Sequence, residues 1–253
     1  MSHPLFDIRG RTALVTGSSR GIGLALARGL AKAGCTVVLN GRDRERLERA
    51  AAELPGDTVH TAVFDVTDGA SVRAGIADVE QRVGPLDILV NNAGMQLRAP
   101  LLEFTDTDWH RVLDTNLTSA FLVGREAARG MTERGHGKII NICSLQSEVV
   151  RPGIAPYAAT KGALKMLTKG MCADWGPHGV QVNGLGPGYI ETELTRPLVR
   201  HAEFDDALGL LAREESFDGL VSAVVPVREA GSAFALAADR GRSCKVLLDF
   251  GAS

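Results

Sequence analysis

The stretch TALVTGSSRGIGLALARGLAKAG, residues 12–34, decides the fold of this 253-residue chain. It begins with a short apolar run, passes through a glycine-rich loop and continues as a helical pattern. Gly17, Gly21 and Gly23 lie in the loop, where glycine permits a tight turn and lets backbone N–H groups approach a pyrophosphate at a helix N-terminus. The spacing G-x-x-x-G-x-G differs from the usual dinucleotide fingerprint, G-x-G-x-x-G, but it occupies the same strand-to-helix junction. A plain glycine-rich turn is the alternative interpretation.

Five further short apolar runs, rich in β-branched residues, alternate with longer helical patterns along the chain. The predicted strands cover residues 12–16, 36–40, 59–65, 86–92, 138–144 and 180–186, and the predicted helices lie near 21–33, 43–53, 68–83, 105–133 and 157–175. The strands show little alternation of apolar and polar residues, as expected when helices cover both faces of a sheet. We therefore predict an α/β fold of the Rossmann type, a doubly wound parallel sheet flanked by helices on both faces within a single domain.

The composition, 45% hydrophobic and 23% charged, is that of an ordinary globular protein. A net charge of −2 gives no electrostatic reason to expect nucleic acid or an anionic membrane as a partner. No apolar run approaches the roughly 20 residues of a membrane span, and the N-terminus lacks the pattern of a signal peptide. The four cysteines are scattered without a C-x-x-C pair. We therefore predict no metal site, no disulfide framework and a cytoplasmic location.

The end of the second predicted strand indicates which dinucleotide the glycine-rich loop would bind. An acidic residue there would accept a hydrogen bond from the 2′-hydroxyl of NAD, but the stretch VVLNGRDRER, residues 37–46, offers Asn40 and Arg42 instead. Arg42 could form charge-assisted hydrogen bonds to a 2′-phosphate, with Arg20 beside it. Asp43 is interpreted as the cap of the next helix. We predict NADP(H) in preference to NAD(H), and a solvated charge at a helix start is the alternative for Arg42.

The stretch PYAATKG, residues 156–162, carries a second candidate site. On a helix, Tyr157 and Lys161 would lie on one face because they are four residues apart. A lysine cation there would favour the tyrosinate form and lower the phenol pKa from about 10, so that the phenol could transfer a proton near neutral pH. The spacing alone is common, and a helix surface that happens to carry an aromatic ring near a charge is the alternative.

Taken in order, five motifs resemble the short-chain dehydrogenase/reductase family over about residues 5 to 199. They are TGSSRGIG at 16–23, NNAG at 91–94, Asn116, Ser144 and Tyr157-x-x-x-Lys161. The resemblance implies that Tyr157 is the general acid in carbonyl reduction and the base in alcohol oxidation, while Lys161 tunes the phenol and holds the nicotinamide ribose. It also implies that Ser144 hydrogen-bonds the reacting oxygen and that Asn116 holds a water in a proton relay. Hydride transfer to a ketone builds negative charge on oxygen, which a positioned acid stabilises.

The same resemblance assigns the dinucleotide contacts. The residues are Gly17, Ser19, Arg20, Gly21, Ile22 and Gly23 in the loop, Asn40 and Arg42 after the second strand, Asp65 and Val66 at the adenine, Asn92, Ala93 and Gly94 along the cleft, Tyr157 and Lys161 at the ribose, and Pro187, Gly188, Ile190 and Thr192 beside the nicotinamide. The family also implies a homo-oligomer, a tetramer.

Three longer stretches resemble the members of the family that interconvert 5-keto-D-gluconate and D-gluconate. They are NNAGMQLRAPLLEF at 91–104, SLQSEVVRPGIAPYAATKGALKMLTKGMCADW at 144–175 and GPGYIETELTRPLV at 186–199. Arg98 and Arg151 could bind the substrate carboxylate and Gln146 its hydroxyls, with Ser144 and Tyr157 at the reacting oxygen. A surface role is an equal alternative for either arginine. The competing functions are a 3-oxoacyl-thioester reductase, another sugar or polyol reductase, and a non-catalytic dinucleotide-binding protein.

From about residue 200 the resemblance changes. The family normally ends in a helix and a final strand closing in VDGG or similar. Here VPVREAGSAFALAADRGRSCKVLLDF, residues 225–250, is similar to the C-terminus of the medium-chain zinc-dependent dehydrogenases, especially of members that act on L-idonate. We predict a short-chain body over residues 1–199 fused to an atypical segment, 200–253, which packs as a helix (229–240) and the last strand (244–250) of the same domain. Ordinary divergence of a family tail is the alternative.

Overall fold

The computed structural model describes residues 7–56, 58–188, 223–226 and 246–249. Internal contacts divide the chain into two compact units, residues 1–194 and 195–253, close to the change of resemblance predicted near residue 200. The strands of the first unit are β1 (Thr12–Val15), β2 (Thr36–Gly41), β3 (Val59–Val63), β4 (Ile88–Asn91), β5 (Gly137–Ile142) and β6 (Val180–Leu185). Its α-helices are α1 (Gly21–Lys32), α2 (Arg44–Ala52), α3 (Gly69–Arg82), α4 (Asp106–Leu113), α5 (Ser119–Arg134) and α6 (Ala155–Trp175).

The six strands form one parallel sheet in the order β3-β2-β1-β4-β5-β6. The chain builds outward from β1 to β3, then returns to the other side of β1 with β4. Ligands of such sheets bind at the carboxyl ends of the strands beside this reversal, which lies between β1 and β4. The predicted doubly wound parallel sheet is confirmed, and with it each of the six predicted strands.

Both faces of the sheet are covered, which explains why its strands are apolar throughout. Successive residues of β1 point to opposite faces: Leu14 belongs to one core cluster, while Ala13 and Val15 belong to the other. Residues of α3, α5 and α6 complete the first cluster, and residues of α1 and α2 complete the second. Helices on both sides leave no strand face for polar side chains, apart from a few that find partners inside.

A buried pair of amides interrupts this apolar core at the β4–β5 junction. Asn91 and Asn141 are directly opposed in the parallel register, and Asn91 Nδ2 donates to Asn141 Oδ1 at 2.9 Å. Asn141 Nδ2 in turn donates to Thr168 Oγ1 of α6 at 2.9 Å. The hydrogen bonds compensate part of the cost of burying the amides, since Asn91 Oδ1 has no partner among the described residues. They also join two strands to the helix that carries Tyr157 and Lys161.

The predicted helix at 105–133 differs most from the structure. Residues 106–134 are helical, but Asp114–Thr118 forms a π-helical turn between α4 and α5. Helix α6 begins at Ala155, two residues earlier than predicted, because Pro156 suits the first turn of a helix. The predicted cap of α2 is confirmed: the Asp43 carboxylate accepts a hydrogen bond of 3.0 Å from the Arg46 N–H. Across the described residues, no helix is both long and apolar enough to cross a membrane.

Two strands are described in the second unit. β7 (Ala223–Pro226) and β8 (Val246–Asp249) pair in parallel as a two-stranded sheet. β8 lies within the strand predicted in CKVLLDF, residues 244–250, and its described partner is β7. The helix predicted at 229–240 lies outside the described residues. The packing of residues 200–253 as part of the same domain stays a prediction.

Candidate active site

The glycine-rich loop after β1 has the backbone conformation that only glycine adopts without strain. Gly17 and Gly21 have φ angles of 60° and 58°, in the left-handed region. A Cβ atom at Gly23 would lie 2.7 Å from the carbonyl oxygen of Gly17 and would also clash with Asn92 Nδ2. A side chain at position 23 would therefore push α1 away from the loop. The spacing quoted from the sequence is thus a steric requirement of this turn.

Hydroxyl groups at the end of β1 fasten the loop to its neighbouring strands. Ser18 Oγ donates to the carbonyl oxygen of Val15 at 2.7 Å and accepts from the Asn40 N–H at 3.0 Å. Thr16 Oγ1 accepts from the N–H groups of Asn92 and Ala93, both at 3.0 Å. The sequence analysis did not select Thr16 or Ser18, although hydroxyl residues directly after a buried strand were a signal that could have been used.

The side-chain amide of Asn92, directly after β4, also bonds to the glycine-rich loop. Its Nδ2 donates to the carbonyl oxygens of Thr16 and Gly17, at 2.9 and 3.1 Å. Asn92 and Ala93, predicted to line the cleft, therefore lie against the glycine-rich loop.

The N-terminus of α1 is suited to an anion. Among the described residues no side chain caps it, and its first turn contains no acidic residue. Ser19 and Ile22 are half-buried at this end, while Arg20 is exposed. A 12-residue helix directs its partial positive charge and its first N–H groups toward this point. The loop and the helix end therefore fit a pyrophosphate.

The residues predicted to contact the adenosine differ in exposure: Arg42 is exposed, whereas Asp65 and Val66 are half-buried. Arg42 is 79% exposed, with Nη1 3.8 Å from Asp65 Oδ2. Burial of Asp65 opposes its ionisation, but hydrogen bonds from Thr67 and the charge of Arg42 outweigh this and lower its pKa. Val66 next to it is half-buried. Arg42 thus stands at the surface, where a 2′-phosphate could join or replace its contact with Asp65.

The side chain of Asn40 is buried, whereas a contact with the dinucleotide would need it to be exposed. Its side chain is 1% exposed, and Nδ2 donates to the carbonyl oxygens of Ala62 and Phe64, both at 3.2 Å. The amide therefore fastens the end of β3 to β2. A contact between Asn40 and the dinucleotide stays a prediction.

Lys161 is almost completely enclosed. The residue is 5% exposed, and its Nζ donates to the carbonyl oxygen of Ile142 at 2.6 Å. Burial lowers the pKa of its ammonium group from 10.5 to about 8, opposed in part by Cys143. Nζ also lies 5.8 Å from the centre of the Tyr157 ring. The predicted proximity of the two residues on α6 is confirmed, and a lysine that titrates near pH 8 can change charge under ordinary conditions.

Asn116 lies in the π-helical turn and is buried next to Lys161. A Cβ atom at Gly94 would lie 3.4 Å from Asn116 Oδ1 and 3.9 Å from Lys161 Nζ, so the three residues meet at one point. Asn116 Oδ1 accepts from the Met95 N–H at 2.7 Å, and Nδ2 donates to Met95 O at 2.9 Å and to Thr160 Oγ1 at 3.2 Å. The side chain thus fastens the loop after β4 to α6. Single π-turns of this kind often occur at functional sites.

Thr160 completes this link and was not selected from the sequence. Its hydroxyl accepts from Asn116 and donates to the carbonyl oxygen of Tyr157 at 2.7 Å. Asn116 is therefore connected to the backbone of Tyr157 through one buried side chain.

Ser144 follows β5 and caps a short 3-10 turn, Leu145–Ser147. Its Oγ accepts from the Gln146 N–H at 3.2 Å, an arrangement that leaves the hydroxyl proton available for another acceptor. The Leu145 N–H donates to the carbonyl oxygen of Pro187 at 3.3 Å. This bond brings the segment after β6 beside Ser144, while a contact between Pro187 and the nicotinamide stays a prediction. Gly188 is exposed, and Ile190 and Thr192 lie outside the described residues.

Besides Ser144 and Tyr157, three residues were predicted to bind substrate, and one of them, Gln146, lies within this turn. Gln146 is half-buried within it, Arg151 is half-buried, and Arg98 is exposed with Nη2 3.2 Å from Gln96 Oε1. A Cβ atom at Gly153 would lie 4.0 Å from the carbonyl oxygen of Ala99, so the loops that carry the two arginines are neighbours. The buried Nε of Arg151 has no hydrogen-bond partner among the described residues.

Within the described ranges, no group of three or more His, Cys, Asp or Glu residues could hold a metal ion.

This chain is similar to several known proteins. A family model described as short chain dehydrogenase matches residues 11–203. Gluconate 5-dehydrogenase of Gluconobacter oxydans (strain 621H) is 59% identical over 211 residues, which are 82% of this chain and 82% of that protein. The 5-keto-D-gluconate 5-reductase of Escherichia coli (strain K12) is 46% identical over 202 residues, 79% of this chain and 80% of the relative.

A solved structure is similar to this chain in both sequence and fold. A gluconate 5-dehydrogenase from Burkholderia cenocepacia J2315, in complex with NADP and tartrate, is 58% identical and superposes with a TM-score of 0.76 over 80% of each chain.

Proposed function

This chain belongs to the short-chain dehydrogenase family, and on that premise we propose that it transfers hydride between NADP(H) and a keto-sugar acid/alcohol pair, 5-keto-D-gluconate and D-gluconate. The observation that carries the proposal is the meeting of Lys161, Asn116 and Gly94 beside Tyr157, at the carboxyl end of the central strands. The identities of 59% and 46% with proteins named for this substrate pair support the choice of substrate.

The dinucleotide, when bound, supplies or accepts the hydride. The Tyr157 phenol gives its proton to the carbonyl oxygen during reduction and takes a proton from the alcohol during oxidation. The Ser144 hydroxyl donates a hydrogen bond to the same oxygen, where negative charge grows. Lys161, as a cation near the ring, favours the phenolate form. Asn116 and Thr160 keep the loop after β4 and the backbone of Tyr157 in place.

The preference for NADP(H) rests on the adenosine end. Arg42 is exposed at the position where an acidic residue would serve NAD, and its guanidinium offers a bidentate partner for a 2′-phosphate. The relative from Burkholderia cenocepacia was solved with NADP, which supports the same choice. Its second ligand, tartrate, is a hydroxy acid, the chemical class to which gluconate belongs.

The substrate carboxylate needs a cationic partner. Arg98 and Arg151 are proposed to provide it, since they stand on neighbouring loops. Arg151 is the better candidate, because its Nε is buried and has no described partner. Gln146 is proposed to bind hydroxyl groups of the sugar chain.

A 3-oxoacyl-thioester reductase is the second candidate function. It is favoured by the exposed apolar side chains near Ser144, namely Leu145, Val149 and Val150, which could accompany an acyl chain. A ketoacyl reductase of granaticin biosynthesis from Streptomyces violaceoruber is also 39% identical over 216 residues.

A panel of substrates decides between these functions. Purified protein is given 5-ketogluconate, gluconate and acetoacetyl thioester, each with NADP(H) and with NAD(H), and absorbance at the nicotinamide band is followed. Turnover of 5-ketogluconate with NADPH well above that of the thioester is expected. The reverse order would establish the acyl reductase, and binding of NADPH without any turnover would establish a non-catalytic dinucleotide-binding protein.

We also propose that the protein acts in the cytoplasm as a homotetramer. Exposed Trp109 on α4 and Phe121 on α5 supply apolar area that an interface between subunits would cover. Light scattering of the purified protein tests the assembly, and a monomeric mass would contradict it.

A further inference from the structure

A second serine, three residues after Ser144, connects the two halves of the candidate active site. Ser147 Oγ donates a hydrogen bond to the carbonyl oxygen of Lys161 at 3.0 Å. Ser147 Oγ also accepts a hydrogen bond from the N–H of Ser144 at 3.3 Å. One hydroxyl thus uses both its donor and its acceptor capacity, and joins the backbone of Ser144 to the backbone of Lys161.

This connection matters because Ser144 and Lys161 belong to different elements. Ser144 stands in the turn after β5, whereas Tyr157 and Lys161 stand on α6. Within the described part of the chain, no residue of the turn Leu145–Ser147 is buried, and Leu145 is 47% exposed. Apolar packing therefore does little to set the position of the turn on the helix.

Polar contacts between the turn and α6 fill this role. Besides Ser147, the exposed carboxylate of Glu148 forms an ion pair with Lys165, one helical turn after Lys161. An exposed pair of this kind contributes little, because solvent screens it and both side chains lose freedom. The half-buried hydroxyl of Ser147, bonded to backbone on both sides, is the stronger of the two connections.

We propose that Ser147 is a positioning residue that sets the distance between the Ser144 hydroxyl and the Tyr157–Lys161 pair. The inference rests on the proposed function, since it assigns Ser144 and Tyr157 to one reacting oxygen. Without the Ser147 hydroxyl, the turn is held less firmly on α6 and the two donors no longer converge as well. Small misplacements of reacting groups can lower rates by factors of up to ~100.

Three single variants test the proposal by kinetics. Ser147→Ala is expected to lower kcat by about 10- to 100-fold while the dissociation constant of NADPH, measured by fluorescence, stays within about twofold. Ser147→Thr keeps a hydroxyl and is expected to recover most of the rate. Glu148→Gln, which removes only the exposed ion pair, is expected to keep the wild-type kcat. Wild-type kcat in Ser147→Ala would overturn the proposal.

A double-mutant cycle separates positioning from a general loss of structure. In a Ser144→Ala background, Ser147→Ala is expected to have little further effect on kcat, because the residue acts through Ser144. An equally large effect in both backgrounds would overturn the proposal.

A readout that does not need turnover distinguishes this inference from the proposed function. Hydrogen exchange in a peptide covering residues 143–149 is expected to become faster in Ser147→Ala and to stay unchanged in Glu148→Gln. Faster exchange in a protein that reduces no keto-sugar acid would sink the proposed function and leave the anchoring intact. Unchanged exchange in Ser147→Ala would overturn the anchoring whatever the substrate.

Discussion

Lys161 Nζ donates a hydrogen bond of 2.6 Å to the main-chain oxygen of Ile142, two residues before Ser144. The helix that carries Tyr157 is thereby bonded to the strand that leads to Ser144. The bond also supplies a partner for a charge that is otherwise enclosed by protein. Burial nevertheless dominates, since the pKa of Lys161 falls to about 8.

The lowered pKa of Lys161 predicts a pH-dependent stability. Between pH 8 and 10.5 the unfolded chain still binds a proton on this lysine that the folded chain has released, so its contribution to stability rises with pH. The free energy of unfolding of the wild type minus that of Lys161→Met should therefore increase by about 3 kcal/mol across this window. Urea unfolding at pH 7, 8, 9 and 10 measures it.

Lys165→Met is the control for this experiment, since it removes an exposed lysine one helical turn later. A difference between wild type and Lys161→Met that stays constant from pH 7 to 10 would show that the lysine keeps its proton in the folded protein.

Tyr157→Phe should abolish the proton transfer and little else. The ring and its place on α6 are preserved, while the phenolic donor is lost. Turnover should fall by at least about 100-fold, the usual contribution of a general acid, and the dissociation constant of NADPH should change little. Stopped-flow reduction with saturating NADPH measures the chemical step. Near-normal rates would remove Tyr157 from the mechanism.

Arg42→Asp should shift the cofactor preference toward NADH. The substitution removes the partner of a 2′-phosphate and places a carboxylate near the ribose hydroxyl. Loss of one charge-assisted contact should cost about 1.5–3 kcal/mol in the ratio of kcat/KM for the two cofactors. Arg44→Asp, at the exposed start of α2, controls for net charge. If both variants change the ratio equally, Arg42 acts only through the general field of the protein.

Gly23→Ala should damage the dinucleotide site through sterics alone. The new methyl group would lie 2.7 Å from the carbonyl oxygen of Gly17, so α1 or the loop has to move. Binding of NADPH should weaken by about tenfold or more, equivalent to at least 1.4 kcal/mol.

Gly29→Ala, on the same helix, is the matched control for Gly23→Ala. No described atom lies within 4 Å of the added Cβ, and alanine is the better helix former by roughly 0.5–1 kcal/mol. The midpoint temperature of thermal unfolding should rise slightly in this variant, and the dissociation constant of NADPH should stay unchanged. Equal dissociation constants of NADPH for the two variants would show that the loop accommodates the methyl group at position 23.

The sheet and its chief motifs could be predicted because they depend on local sequence. Each strand is a short β-branched run, and the glycine spacing at 17, 21 and 23 corresponds to steric requirements within one turn. The π-helical turn at Asp114–Thr118 could not be predicted in the same way, since five residues disturb the helical period too little to show in the apolar pattern.

The roles of side chains whose partners are distant in sequence were harder to predict. Asn40 was assigned to the dinucleotide from its position, yet its amide bonds to the backbone of Ala62 and Phe64, more than 20 residues away. Ser147 and Thr160 were passed over because their partners, Lys161 and Asn116, are 14 and 44 residues distant. Only the packed structure brings such groups together.

The opposed amides of Asn91 and Asn141 have a consequence for how the chain finds its fold. Parallel strands are joined late, through contacts between distant segments, and apolar runs alone would tolerate several alignments. A one-residue slip of β4 against β5 would leave a buried amide without its partner, at a cost of about 1–3 kcal/mol. Misaligned intermediates are therefore selected against. Asn91 and Asn141 directly precede Asn92 and Ile142. The register that pairs the two amides therefore also aligns the segments of the candidate active site that follow β4 and β5.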